Sequence, residues 1–305
     1  MTWNKQTTIA LFGTGLMGAP LTERLLDAGY KVVVWNRSPE KLEPLVAKGA
    51  LAAETPGQAV RSAEVLVTWL ADQRAIQEVL FPAERASLLA GKTILQMATI
   101  GPSHSRGLED AAIAHGAQYL EAPVLGSIPE AKKGSLLLMV GATVAQFERF
   151  QPLLSVFGKN PVHVGPVGQA AAMKLAFNQL IAGLTASFSL SLGLIQKEGV
   201  RVELFMDMLR DSALYAPTFD KKLLRMLERD YENPNFPTRH LLKDADLFLD
   251  AADEHGLTAA CLQGVRDTVA IALAKGLADT DYSAINEVIH PPIKNQQQGT
   301  YPKTD

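Results

Sequence analysis

The sequence has a single cysteine, Cys261, and therefore neither an intramolecular disulfide nor a thiolate cluster for a metal. That absence fits a reducing compartment, and the thiol reads as a small buried apolar group. An excess of charge of one sign is also missing. The 29 Lys and Arg set against 32 Asp and Glu leave a formal net charge of −3, which supplies no field for nucleic acid or an anionic membrane. Long apolar runs are absent too: the most apolar stretches are broken by glutamine, serine, lysine or glycine before the roughly 18 residues that a membrane span needs. Only a few polar residues precede Thr8, too few for a signal or transit peptide, so a soluble protein in the cytoplasm is expected. His104, His115, His163, His240, His255 and His290 show no metal-ligand spacing, and no Ser-His-Asp or Cys-His signature is present, so no metal is expected. What remains is chemistry on a small molecule.

At 305 residues and 47% hydrophobic content, the chain suits two domains. Short β-branched runs alternate with helical patterns at Thr8–Phe12, Lys31–Trp35, Val65–Leu70, Thr93–Met97, Gln118–Glu121, Leu136–Val140 and Val162–Val164. This rhythm predicts an α/β, Rossmann-type doubly wound sheet, its parallel strands covered by crossover helices. After Val164 the rhythm stops. Gly168–Glu198 predicts one long interdomain helix rich in alanine, leucine and serine, with Gly199 as its stop, followed by helices at 202–209, 220–230, 239–255 and 258–275. The expected organisation is a dinucleotide-binding domain over 1–165, an all-α substrate and dimerisation domain over 166–290, and a disordered tail over 291–305. A spine helix apolar on most faces favours a homodimer or homotetramer.

Gly13-Thr14-Gly15-Leu16-Met17-Gly18 follows the first strand and opens a helix. In that context Gly13 permits the tight turn, Gly15 lets the backbone approach a pyrophosphate, and Gly18 allows close helix–sheet packing. At the end of the second strand an acidic residue would grip the adenosine ribose and repel a 2′-phosphate. Here stand Asn36-Arg37-Ser38, in which Arg37 can pair with the phosphate while its neighbours add donors without negative charge, so NADP(H) is expected over NAD(H).

Lys174 is anomalous within Ala170-Ala171-Ala172-Met173-Lys174-Leu175-Ala176-Phe177, and Asn178 lies one helical turn further on the same face. A carbonyl gaining negative charge on reduction would be stabilised and protonated by an ammonium placed there. Four blocks, Gly13 to Pro20, Glu121-Ala122-Pro123-Val124 on to Gly134, Gly165 to Asn178, and Lys243-Asp244, span nearly the whole chain. On these it resembles the β-hydroxyacid dehydrogenase family, which includes 3-hydroxyisobutyrate dehydrogenases and, closest in pattern, the glyoxylate or succinic semialdehyde reductases. The resemblance implies that Lys174 and Asn178 form the catalytic pair and also contact the substrate. It implies that Leu70-Ala71-Asp72, Thr99 and Lys243 approach the cofactor, and that the segment with Gly126 and Ser127 approaches the substrate. Two positions depart from the family pattern: Leu125 replaces a serine that helps to hold a carboxylate, and Ala98 replaces a serine before Thr99.

The implied activity is reduction of a small aldehyde or keto acid by NADPH, or the reverse oxidation of a 3-hydroxy acid, with Lys174 as the acid and Asn178 as its aligner. Two alternatives use the same fold: an imine reductase, which often carries aspartate or tyrosine at the position of Lys174, and a module that binds NADP(H) without chemistry.

Overall fold

Residues of the first strand, β1 (Thr8–Phe12), alternate between two cores: Ile9 and Leu11 enter one, Ala10 and Phe12 the other. The same division places Val32 and Val34 on one face of β2 (Lys31–Trp35) and Val33 on the opposite face. Strands apolar on both sides require cover on both sides, which is why these runs read as continuous rather than alternating. The computed structural model of the protein describes residues 6–292.

With β3 (Leu51–Ala52), β4 (Val65–Thr68), β5 (Thr93–Gln96), β6 (Gln118–Glu121), β7 (Val124–Leu125), β8 (Leu137–Gly141) and β9 (Val162–Gly165), the strands order as β3-β2-β1-β4-β5-β6-β8-β7, and β9 pairs with β8. From β3 to β6 every neighbouring pair is parallel. The strand order reverses between β1 and β4, the position at which doubly wound sheets open a crevice beyond their carboxyl ends. The doubly wound sheet expected from the sequence is present, and its one reversal is at β8, which runs antiparallel to β6 and β7. The cause is the connection: the chain between β7 and β8 holds only a six-residue helix, Ile128–Lys133, too short for a crossover that returns a strand in parallel. β3 and β7, two residues each, were too short to show a period.

The long helix spans Gln169–Lys197, 29 residues. Gly168 adopts φ +97° and stands outside its first turn, and Gly199, at φ +72°, ends it. By length and composition alone this spine helix could cross a membrane, with a mean hydropathy of 1.3 over its most apolar window. Leu175, Ala182, Phe188 and Leu192 are buried, whereas Leu180, Leu190 and Leu194 are exposed.

The chain divides into two compact units, one containing the residues up to Phe177 together with Asp250–Leu257, the other Asn178–Leu249 with the chain from Thr258. The division falls inside the spine helix, whose first turn is bonded to the end of β6. The first unit holds the sheet. The second is helical, with one core around Leu241, Leu262, Val269 and Ile285, and another in which Phe188 stacks on Phe219 at 4.7 Å. Its buried ion pair joins Lys222 to Asp281 at 2.8 Å. Cys261, expected to be buried, is exposed, since its helical neighbour Leu262 takes the inward face. Pro291 and Pro292 carry no regular structure, and the rest of the expected disordered tail lies outside the described residues.

Candidate cofactor and catalytic site

The glycine loop leaves β1 at its carboxyl end, where the Gly13 N–H donates to the Trp35 carbonyl at 2.9 Å. Gly13 adopts φ +96°, and a Cβ there would lie 2.9 Å from the Trp69 carbonyl carbon. A Cβ on Gly18 would lie 2.9 Å from the carbonyl carbon of Gly13, which explains how the helix Gly18–Asp27 starts so close to the strand. Gly15 differs: a Cβ there would meet nothing within 4 Å, so its bareness serves no contact inside the protein. No side chain caps the helix at Met17, and Leu16 is exposed. Thr14 is buried, and its Oγ1 has no hydrogen-bond partner among the described residues. An open glycine backbone, an uncapped helix start and an orphaned hydroxyl suit the pyrophosphate of a dinucleotide.

The end of β2 is tied to this loop. Asn36 Oδ1 accepts from the Thr14 N–H at 3.2 Å, and its Nδ2 donates to the Ser38 carbonyl at 3.0 Å, which fixes the turn carrying Arg37. Arg37 itself is exposed and makes no ion pair among the described residues. After β4 come Leu70, half-buried, and Ala71, exposed. Asp72 has a local task, accepting the Ala75 N–H at 2.8 Å as the cap of the helix Gln73–Leu80. Half-buried Thr99 follows a turn braced by Gln96, a buried side chain whose Nε2 donates to the Ala98 carbonyl at 2.9 Å and whose Oε1 accepts the Ala98 N–H. Gln96 was invisible in the sequence, where it reads as a strand-end polar residue.

Gly126 takes φ +129°, a conformation that favours glycine. Both donors of Ser127, its backbone N–H and its hydroxyl, go to Glu130 Oε2, at 2.8 and 2.9 Å. A carboxylate thus occupies the position at which Ser127 could otherwise have met a substrate anion.

On the spine helix Lys174 is half-buried and Asn178, one turn on, is buried. In the second unit Asn178 Nδ2 donates to Asp244 Oδ2 at 2.5 Å, and Lys243 Nζ lies 3.2 Å from the other oxygen of the same carboxylate. Asp244 is buried, so Asn178 and Lys243 share one fixed anion. A lone aspartate in a helix reads from sequence as solvated, which hid this role. Arg239 forms an exposed ion pair with Asp279, and Phe236 packs edge-on against Tyr282. At the end of β6, Glu121 is wholly buried; burial pushes its carboxyl upward, while Ser105 and three backbone N–H groups pull it back.

The NAD binding domain of 6-phosphogluconate dehydrogenase matches residues 8–165, and the NAD-binding domain of NADP-dependent 3-hydroxyisobutyrate dehydrogenase matches residues 168–289. Glyoxylate/succinic semialdehyde reductase 1 of Arabidopsis thaliana is 31% identical over 283 residues, which cover 92% of this chain and 98% of that one. The NAD-dependent L-serine dehydrogenase of Pseudomonas aeruginosa is 28% identical, with 93% of this chain and 98% of that one covered. Among solved structures, the 3-hydroxyisobutyrate dehydrogenase of Mycobacterium tuberculosis with L-serine superimposes with a TM-score of 0.84 at 25% identity, covering 93% of this chain and 99% of that one. These relatives act on small hydroxy acids or aldehydes. With its glycine cradle and both domain matches, the chain belongs to the β-hydroxyacid dehydrogenase family, as a nicotinamide-dependent oxidoreductase acting on CH–OH groups.

Proposed function

We propose that this protein is an NADPH-dependent reductase of a small aldehyde or keto acid of the glyoxylate or succinic semialdehyde type. The observation that carries the reading is Lys174 on an otherwise apolar helix, one turn before a buried Asn178 held by Asp244. When bound, NADPH supplies the hydride. Lys174 Nζ then delivers the proton to the carbonyl oxygen, and its positive charge favours the charge that develops there. Asn178, its amide oriented by Asp244, aligns the same oxygen. The glycine loop Gly13–Gly18, Thr14 included, holds the pyrophosphate. Asn36, Arg37 and Ser38 receive the 2′-phosphate, Leu70, Ala71 and Asp72 line the cofactor through their backbone, and Thr99 and Lys243 serve its nicotinamide end.

Gly126 and Ser127 border the substrate, but a carboxylate grip by Ser127 would require Glu130 to release both donors. That engagement, together with Leu125 in place of serine, favours a second reading, in which the substrate is a neutral carbonyl or a cationic imine. Exposed Leu190 and Leu194 on the spine helix support a homo-oligomer, and the single cysteine fits a reducing, cytoplasmic setting.

The test is the initial rate of NADPH and NADH oxidation with glyoxylate, succinic semialdehyde, methylglyoxal and cyclic imines. NADPH preference with a carboxylated aldehyde is expected, and Lys174→Ala should lower its turnover about a hundredfold or more. Turnover of neutral carbonyls or imines alone would transfer the assignment to the second reading. Cofactor binding without any turnover would leave a binding module.

A further inference from the structure

Glu121, 0% exposed at the end of β6, receives hydrogen bonds from two directions. Its Oε1 accepts the backbone N–H groups of Gly168 at 2.8 Å, Ala170 at 3.0 Å and Ala171 at 3.1 Å. Its Oε2 accepts from Ser105 Oγ, which also meets the Tyr119 hydroxyl at 2.9 Å. Gly168, Ala170 and Ala171 lie at the start of the spine helix, where N–H groups have no carbonyl one turn earlier and carry the positive end of the helix dipole. A carboxylate is therefore a matched partner, and its donors offset part of the desolvation that burial imposes.

Space has been kept for this arrangement. A Cβ on Gly141, the register partner of Glu121, would stand 2.7 Å from Glu121 Cγ. Ordinary helix caps are local, a side chain bonding two or three residues ahead. Here the acceptor lies 47 to 50 residues from its donors and sits on a core strand, so the helix start is held against the sheet rather than against its own loop.

Lys174 follows Ala170 by one turn of the same helix. Helical geometry fixes rise and rotation per residue, so a displaced first turn carries Lys174 with it. We propose that Glu121 is a positioning residue of the reaction: its carboxylate holds the first turn of the spine helix on the end of β6 and thereby places the Lys174 ammonium. This rests on the reading of Lys174 as the proton donor.

Glu121→Ala should lower kcat about a hundredfold, the scale for an ångström of misplacement, while KM for NADPH stays within about twofold. Glu121→Gln keeps one acceptor oxygen and can donate to Ser105, so it should recover kcat to within about fivefold of the parent protein. Amide hydrogen exchange at Ala170 and Ala171, followed without substrate, should quicken in Glu121→Ala and return toward the parent rate in Glu121→Gln. Parent-level kcat in Glu121→Ala, or a Glu121→Gln as impaired as Glu121→Ala, overturns the proposal. Should Glu121→Ala fail to fold, Gly141→Ala, which crowds the carboxylate without removing it, decides: a folded variant with parent kcat overturns the proposal, and a selective loss of kcat supports it. Lys174→Ala is run alongside. If it is inactive while Glu121→Ala turns over normally, the positioning role alone is refuted; if Lys174→Ala itself turns over normally, the reading of Lys174 falls and takes the positioning role with it.

Discussion

Asn178 and Asp244 are both buried and joined by a 2.5 Å hydrogen bond, which fixes the amide so that its Nδ2 faces the carboxylate. Removing the acceptor takes this hydrogen bond from the buried amide and this ion pair from Lys243. Asp244→Ala should cost about 1.5–3 kcal/mol of stability, the range for a hydrogen bond to a charged group, and should also depress kcat through Asn178. Urea denaturation and steady-state kinetics measure the two effects. An unchanged denaturation midpoint together with normal kcat would show that Asp244 neither braces the fold nor orients the amide.

The glycine loop separates two reasons for lacking a side chain. Gly18→Ala places a methyl 2.9 Å from the Gly13 carbonyl carbon and should destabilise the protein by about 1–3 kcal/mol, as overpacking does. Gly15→Ala meets no protein atom within 4 Å, so its melting temperature without cofactor should match the parent. Its Kd for NADPH, from fluorescence titration, should still rise at least about tenfold, a loss of about 1.4 kcal/mol, because the methyl occupies the space reserved for phosphate. Equal melting temperatures for the two variants would contradict this division.

What could be read from the residues was whatever depends on short sequence distances. The strand–glycine loop–helix at Thr8 to Asp27 was legible because each of its steps is local, and Lys174 stood out because an ammonium on an apolar helix needs a cause. The partners of these residues were not legible. Glu121 meets the spine helix from at least 47 positions away, and Asn178 meets Asp244 from 66, distances over which no periodicity speaks. Ser127 looked available until its hydroxyl was seen engaged by Glu130.

His240 carries a pH signature. Half-buried, it is held below its ordinary 6.5 first by burial, then by the Lys243 and Arg239 charges, against a smaller opposite pull from Asp244. Because the folded chain binds this proton less readily than the unfolded one, its stability contribution is complete above about pH 6.5 and is lost as pH falls through the lower folded value. His240→Gln should therefore flatten part of the decline in stability across the acidic half of about pH 5 to 8, measured as denaturation midpoints. A decline as steep as in the parent protein would place the proton uptake elsewhere.

On the proposed reading, Arg37 sets the preference for NADPH over NADH. Its backbone is set by Asn36, which bridges Thr14 and Ser38, so the turn does not depend on the guanidinium for its shape. Arg37→Ala should then remove charge and donors without disturbing the pyrophosphate cradle. Pairing with a 2′-phosphate is a charge-assisted contact, and its loss should weaken NADPH binding by about 1.5–3 kcal/mol, at least about tenfold in Kd. NADH has no such phosphate and should bind within about twofold of the parent value, since no contact of its own is removed. Titration of both cofactors at low and moderate salt gives a further check, because a surface-exposed ion pair weakens as ionic strength rises while the NADH affinity should hardly move. A parallel loss for NADPH and NADH would mean that Arg37 acts on the adenine or the loop, and the phosphate would need another partner.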